Sequence, residues 1–216
     1  LVSHDLGSIE RICDRAVWLN NGVIEICGSA QKVVEFYRNQ FHDEGERSLV
    51  LEQEEAHRDV VSNSPKVSDR RWGSKEIEIV KVTFLDKNGS EKFLFRTGEP
   101  WIVRIGYRAN RAVEKPVFGF GIHRNDGIHI TGPNVKSRDC VKDYVSEGEG
   151  VVEYRVDSLP LLEGTYLFTT AIHNFDFAHT YDYHHQLYKF QVESNKPEDR
   201  YGAVYFPGKW HYLDWK

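Results

Sequence analysis

TGEPWIVRIGYRANRAVEKPVFGFGIHRNDGIHITGPN, residues 97–134, carries the clearest strand pattern in the sequence. Apolar and polar residues alternate there with a period of two, which is typical of β-strands with one buried face. The pair Asp126-Gly127 is a common hairpin turn sequence. The stretch therefore predicts three or four strands joined by short turns, with an aromatic face, including Trp101 and Phe120, turned towards a core.

Glycines and polar residues share the opposite face of these strands. Gly106, Gly119 and Gly121 fall on it and are rimmed by Arg104 and His123. Because glycine weakens a strand, such a cluster favours either a bulged or twisted sheet or a surface that a ligand approaches closely. The second interpretation predicts a shallow, concave binding surface.

A further strand pattern, residues 165–174, has the same small and polar character on one face. Sugars are bound through hydroxyl-matching side chains and aromatic faces, so these surfaces fit a carbohydrate site. Arginine can bind a carboxylate or phosphate through two hydrogen bonds, although each arginine taken singly could be an ordinary surface charge. The first six of the following predicted glycan-binding residues are expected together on the outer face of one sheet: Arg104, Gly119, Gly121, His123, Thr169, His173, Arg108 and Arg124.

The composition describes a globular chain of 216 residues whose apolar and aromatic content, 40% and 13%, is sufficient for a core. A net charge of −5 argues against a general nucleic-acid binder, and no apolar run approaches the ~18 residues that cross a membrane. Cys13, Cys27 and Cys140 lack C-x-x-C spacing, which fits a reducing compartment. The absence of Met, even at position 1, predicts a fragment of a longer chain.

Three segments are predicted along the chain. Residues 1–41 alternate strands and helices as α/β domains do, with Ser29 as a helix cap, but they are too few for a core of their own. Residues 42–70 are polar and acidic, which favours a linker that could include a helical piece at 49–60. Residues 71–216 carry about eight short strands at a spacing typical of an antiparallel β-sandwich. The predicted fold class is mainly β, with a short α/β remnant in front of the sandwich.

The first 38 residues resemble the end of the ATP-binding subunit of ABC transporters. LVSHD and DRAVWLNNGVIEICG, residues 1–5 and 14–28, carry the similarity. It implies that His4 corresponds to the switch-loop histidine of that family, which contacts the γ-phosphate of ATP. We find no G-x-x-x-x-G-K-[ST] motif and no Walker B carboxylate in the sequence, so we expect no ATP hydrolysis, catalytic residue or cofactor in this chain. ATP and Mg²⁺ would belong to the full-length protein.

From RWGSKEIEI, residues 71–79, onwards, the sequence resembles the C-terminal domain of Wzt-type ABC ATPases. TGEPWIVRIGYRA, PVFGFGIHRNDG, LLEGTYLFTTAI and GAVYFPGKW carry this similarity. In that family the transporter exports O-antigen polysaccharide from the bacterial cytoplasm, and the domain recognises the modified non-reducing end of the glycan. The resemblance implies an immunoglobulin-like or jelly-roll sandwich that works as a carbohydrate-binding module.

The resemblance also implies the partners of the chain. They are the non-reducing terminus of the polysaccharide, a membrane-spanning transporter subunit reached through the ATPase domain, and a second copy bound by exchange of the C-terminal strand. We expect that strand at Gly202–Phe206, after a polar spacer. The implied location is the cytoplasm at the inner face of the bacterial inner membrane, and no nucleic-acid partner is expected.

Two other function classes stay open. A purely structural dimerisation domain would use the aromatic C-terminus, from Tyr201 to Trp215. A metal-dependent jelly-roll enzyme would need a histidine cluster, yet no H-x-H followed by a suitably spaced Glu occurs. Its candidate ligands would be His123, His129, His173, His184 and His185. No carboxylate pair on the predicted surface suggests a glycosidase, because Asp126 lies at a turn. We therefore expect a binding module that holds no metal and is no enzyme.

Overall fold

The computed structural model describes residues 9–10, 12–20, 22–62, 64, 68–193 and 202–212, with the backbone alone for 38–48 and 61. His4, the predicted spacer at 194–200, Tyr201 and Trp215 lie outside the described residues. The chain divides into two compact units, Leu1–Ser48 and Leu49–Lys216. None of the described helices is long and apolar enough to cross a membrane.

The first unit contains a hairpin and the start of a helix. Strand β1 (Arg15–Asn20) pairs antiparallel with β2 (Val23–Ser29). Helix α1 (Ala30–Val61) follows directly. The Ser29 hydroxyl accepts a hydrogen bond from the Lys32 backbone N–H at 3.4 Å, which confirms the predicted cap.

The second unit is the β-sandwich that the strand pattern predicts. Its strands are β3 (Arg71–Trp72), β4 (Ile77–Leu85), β5 (Leu94–Arg96), β6 (Trp101–Ala109), β7 (Val113–Glu114), β8 (Val117–Arg124), β9 (His129–Thr131), β10 (Tyr144–Val145), β11 (Gly148–Val156), β12 (Gly164–His173) and β13 (Thr180–Glu193), with a 3₁₀ turn at Lys136–Arg138. One sheet has the order β11-β6-β4. The other has the order β3-β13-β12-β8-β9, and β5 pairs parallel with β13. The short strands β7 and β10 pair with each other.

Aromatic rings from both sheets fill the space between them. Phe84 and Trp101, from the three-stranded sheet, stack with ring centroids 5.9 Å apart. Phe84 meets Phe168 at 5.2 Å and Phe190 at 5.1 Å, and Phe168 stacks on Phe120 at 5.0 Å. Such contacts add to the free energy gained by burying apolar area. The predicted inward positions of Trp101 and Phe120 are confirmed, since both are buried.

Helix α1 continues through much of the segment predicted as a linker and ends only at Val61. The helical piece expected at 49–60 is confirmed, but the sequence pattern does not predict that this helix is buried, because the segment is mostly polar and only a few residues pack into the core. Leu49 and Val60, each 2% exposed, belong to the core of the second unit. The buried Gln53 side chain donates to the Lys189 carbonyl oxygen at 2.6 Å. The predicted domain boundaries at 41 and 70 stay predictions.

The predicted last strand, Gly202–Phe206, forms a single β-bridge in this structure. Val204 bridges Leu161, and the Tyr205 N–H donates to the Pro160 carbonyl oxygen at 2.7 Å. After this contact the aromatic side chains face solvent. Phe206, Trp210 and Tyr212 are 83%, 98% and 103% exposed.

Candidate functional site

The candidate site is the outer face of the six-stranded sheet, meaning the face turned away from the core. In β12, Phe168 and Ile172 are fully buried in the core, so Thr169, Ala171 and His173 point outwards by strand alternation. In β8, Phe118, Phe120 and Ile122 are the buried, inward residues. Thr169 lies opposite Gly121 and Ala171 lies opposite Gly119. The outward positions of the two strands therefore lie on one side of the sheet, although Thr169 and Ala171 themselves are buried.

Five of the predicted residues share this outer face. They are Gly119, Gly121 and His123 of β8 and Thr169 and His173 of β12. Strand alternation is sufficient to predict this arrangement, because β8 and β12 are direct neighbours. Their role in glycan binding stays a prediction.

Arg104 and Arg108 do not belong to the outer face, so the prediction of one common surface is wrong for Arg104. Both lie in β6, in the three-stranded sheet, together with Gly106. Arg104 Nε donates to Glu153 at 2.7 Å, and Arg108 Nη2 donates to Glu149 at 2.8 Å. Strand alternation shows whether a side chain points to the core or away from it, but a sandwich has two sheets and therefore two outer faces. Arg104 points away from the core on the other sheet.

Arg124 lies at the end of β8 but is also absent from the outer face. It has the same strand parity as the inward residues Phe120 and Ile122. Its Nε donates to Asp126 at 2.9 Å across the predicted Asp126-Gly127 turn, which the structure confirms. Arg124 therefore stabilises the hairpin end.

The glycines of β8 make room for the chain itself. A Cβ at Gly119 would lie 3.0 Å from Asn134 Cβ, because residues 133–134 cross over it. A Cβ at Gly121 would lie 3.2 Å from His123 Cε1 and 3.3 Å from His129 Nε2. The prediction that these glycines leave space for a sugar ring is therefore wrong.

A row of four rings crosses the outer face, and three of its members were not predicted. Trp72 stacks on Tyr183 with centroids 4.2 Å apart and planes at 14°. Tyr183 lies 6.1 Å from His173, which lies 5.8 Å from Phe177. Trp72 and Phe177 are 47% and 48% exposed. We call these four residues the aromatic row; its two end members, Trp72 and Phe177, offer apolar ring surface to a ligand.

The row ends at a cation held over aromatic rings. Lys136 Nζ lies 3.9 Å from the ring centroid of Phe175 and 5.3 Å from that of Phe177. It also donates to the Phe175 carbonyl oxygen at 2.8 Å. These contacts hold the turn that carries Phe177 against the end of the sheet.

Histidines occupy the centre of the outer face without adding charge at neutral pH. Burial lowers the pKa of His123, and the neighbouring His129 and His185 lower it further. Burial also lowers the pKa of His173, whose Nδ1 is hydrogen-bonded to the Thr180 hydroxyl at 3.1 Å. Both rings are therefore neutral at pH 7. Neutral histidine rings beside aromatic side chains suit a hydroxyl-rich ligand, and the charge at this surface comes from Lys136 at the end of the row.

The histidines do not form a metal centre in the described part of the chain. No group of three or more His, Cys, Asp or Glu side chains there is arranged to hold a metal ion. His184 faces the core, where Nδ1 is hydrogen-bonded to the Tyr188 hydroxyl at 2.7 Å and Nε2 to Asp182 at 3.2 Å. His123 and His129 stack on each other at 4.6 Å.

A buried ionic cluster anchors the residue before Trp72. Arg71 donates to Asp182 from Nη2 at 2.8 Å and from Nε at 3.1 Å. Asp182 also accepts from Lys75 Nζ and from the Ile79 N–H, each at 2.9 Å. Arg71 Nη1 donates to the Val60 carbonyl oxygen of helix α1 at 2.8 Å. The cluster therefore fixes β3, and with it Trp72, against β13.

Comparison with known proteins gives matches for the chain. Residues 68–206 match the family model described as the Wzt C-terminal domain. The O-antigen export system ATP-binding protein RfbB of Myxococcus xanthus is 26% identical over 172 residues, 77% of this chain and 38% of the relative. A Klebsiella pneumoniae protein of the same name is 46% identical over 37 residues, 17% of this chain and 15% of the relative. The chain thus spans well under half of the length of these relatives.

A solved structure shares the fold. The crystal structure of the C-terminal domain of Wzt aligns with a TM-score of 0.57 and 16% sequence identity, covering 66% of this chain and 87% of the other. This agreement concerns the fold, while the family assignment comes from the match over residues 68–206. The chain belongs to the family of Wzt C-terminal domains.

Proposed function

We propose that the sandwich is a carbohydrate-binding module that recognises the modified non-reducing end of an O-antigen polysaccharide. It would act as part of the ATP-binding subunit of an O-antigen ABC exporter, in the cytoplasm at the inner membrane. The family and the names of the relatives support this placement. The ATPase domain of the full-length protein would bind ATP and Mg²⁺ and contact the membrane-spanning subunit.

The aromatic row is the observation that carries the proposal. Trp72 and Phe177 are about half exposed although both are large apolar side chains. Tyr183 and His173 continue the row between them. Sugar rings present C–H faces to aromatic rings and hydroxyls to polar groups, and both kinds of partner occur here.

Trp72→Ala should weaken binding of the capped O-antigen oligosaccharide at least tenfold, a loss of about 1.4 kcal/mol or more. Trp72 offers the most open stacked ring of the row, while Trp72→Phe keeps an aromatic face and should restore part of the affinity. Isothermal titration calorimetry with capped and uncapped oligosaccharides would measure both variants.

Two controls separate this site from other surfaces. Tyr144→Ala removes a ring that is 55% exposed in β10, outside the six-stranded sheet, and should leave affinity unchanged. Arg104→Ala should also leave it unchanged, because Arg104 lies on the other sheet. If Arg104→Ala weakens binding and Trp72→Ala does not, the outer face is not the glycan site.

We infer in addition that two copies exchange their C-terminal segments. Phe206, Trp210 and Tyr212 leave their apolar surface in water, although the preceding residues dock on Pro160–Leu162. Covering these rings with a second copy would remove that apolar area from water. A structural dimerisation role is then compatible with glycan binding.

Deletion of residues 200–216 should convert the dimer into a monomer or an aggregate. The deletion removes the docking residues and the exposed rings together, so the contact surface of the second copy is lost. Multi-angle light scattering would measure the mass of the truncated and intact chains. A well-behaved dimer after the deletion would contradict strand exchange.

A further inference from the structure

A groove opens beside the aromatic row, between helix α1 and strand β13. Its cavity volume is about 320 Å³. One wall belongs to the helix and the other to the middle of β13 and to β12. The lining residues used below are Glu52, Glu55, Ala56, Asp59, Arg70, Leu167, Gln186 and Lys189.

The groove adjoins the outer face. The Gln186 N–H donates to the Thr169 hydroxyl at 3.0 Å, so a lining residue is bonded directly to the centre of the face. Leu167, two residues from Thr169, points to the same side of β12 and lies opposite Lys189. From Ala171 to Leu167 the strand advances roughly 13 Å. The row and the groove therefore lie on the same side of the six-stranded sheet, separated along β12 by the buried Thr169.

A bulge in β13 gives the groove its shape. The pairing with β12 shifts between Phe168 and Thr170, and Gln186 adopts φ +49°. Arg70 fixes this conformation, because its Nη1 donates to the Gln186 carbonyl oxygen at 3.2 Å while its own carbonyl accepts from the His185 N–H at 2.7 Å. The backbone of the bulge is thus held from the side of β3.

The chemistry of the lining favours hydroxyl groups over an anion. Lys189 is paired with Glu52, and Arg70 donates to the Gln186 carbonyl oxygen. Glu55 and Asp59 add further carboxylates from the helix, so three carboxylates face two cations in the lining. Carboxylates accept strong hydrogen bonds from hydroxyls and repel phosphate or uronate groups. A neutral sugar unit fits this lining.

We propose that the groove is a second subsite, which binds the neutral sugar units that follow those on the aromatic row. This inference rests on the proposed function and deepens it: the ligand is an extended oligosaccharide, not an isolated cap. Helix α1 then contributes directly to recognition of the polymer.

The test is a length series of oligosaccharides that share one capped end. Calorimetry with the intact chain should show affinity rising at least tenfold from the shortest to the longer ligands and then levelling off. Ala56→Trp fills the groove. This variant should bind the shortest ligand with the affinity of the unmodified chain, but its affinity should rise less than threefold from the shortest to the longer ligands. Asp59→Ala, which removes an acceptor without adding bulk, should also reduce the gain.

Arg58→Trp is the matched control, because Arg58 is exposed on the same helix and does not line the groove. It should keep the full gain with length. Length-independent affinity in the unmodified chain, or an undiminished gain in both groove variants, would overturn the second subsite and leave the aromatic row intact. Absence of binding at every length would overturn the proposed function and this inference with it.

Discussion

Asp182→Asn should lower the free energy of unfolding by about 3–5 kcal/mol, because it leaves a buried charge without its partner. The side chain of Asp182 is 0% exposed and that of Arg71 is 6% exposed. Asparagine keeps the shape of the aspartate but cannot neutralise Arg71 and Lys75, which both bond to the carboxylate. Urea denaturation followed by circular dichroism would measure the change.

Asp126→Asn provides the control for this variant. Asp126 also pairs with an arginine, but at the exposed end of a hairpin where water screens the charges. Its replacement should change the stability little. If the two variants unfold at the same urea concentration, the ionic cluster does not hold the sandwich together.

The effect of Asp182→Asn should depend on pH in a definite direction. Burial would raise the pKa of Asp182, but hydrogen bonds from His184, Arg71 and Lys75 outweigh burial and lower the pKa well below its usual value. A group with a lowered folded-state pKa stabilises the fold above its unfolded-state pKa and loses this contribution as pH falls towards the folded-state value. The difference in the free energy of unfolding between the unmodified chain and Asp182→Asn should therefore be largest at neutral pH. It should become smaller below about pH 4.

Strand alternation predicts the inner and outer sides of β6, β8 and β12, but not which strands share a sheet. Trp101 and Phe120 pack into the same core from opposite sheets. Predicting that both are buried therefore does not show that their strands belong to different sheets. The outward residues of the same strands then lie on opposite sides of the molecule. This is why His123 is correctly placed beside Thr169, whereas Arg104 is not.

The unpredicted part of the site comes from irregular backbone. The two-residue strand β3 is too short to show a period, so the sequence does not indicate that Trp72 pairs with β13. In β13, the bulge around Gln186 interrupts the period-two alternation. Tyr183 is therefore missed. A single sequence offers no local signal for the pairing of Trp72 with Tyr183.

The packing of helix α1 is likewise not predictable from its own sequence. Its residues from Leu49 to Val60 are largely charged, and the burial of a few side chains depends on a sheet far away in the sequence. The sequence allows a helix at 49–60, which is observed, but it predicts a solvated helix in a linker and not one that packs on the sandwich. Tertiary contact decides the outcome.

Gly73→Ala should destabilise the second unit by about 3–5 kcal/mol, the sum of backbone strain and a steric clash. Gly73 links β3 to the segment before β4 at φ +138°, a conformation that side chains rarely adopt. A Cβ there would lie 2.6 Å from the Tyr181 carbonyl carbon and 2.8 Å from Asp182 Cα, so backbone would have to move. The movement would displace Trp72 from Tyr183, and the variant should also lose affinity for the glycan.

Gly89→Ala isolates the strain from the clash. Gly89 has φ +82°, and nothing lies within 4 Å of the added Cβ, so its replacement should cost only about 1–2 kcal/mol. Urea denaturation would compare the stabilities of the two variants. Calorimetry with the capped oligosaccharide would measure whether the displacement of Trp72 lowers the affinity for the glycan. Equal costs for the two variants would mean that β3 can shift along β13 without loss. Unchanged glycan affinity in a folded Gly73→Ala chain would show that recognition does not depend on the position of Trp72.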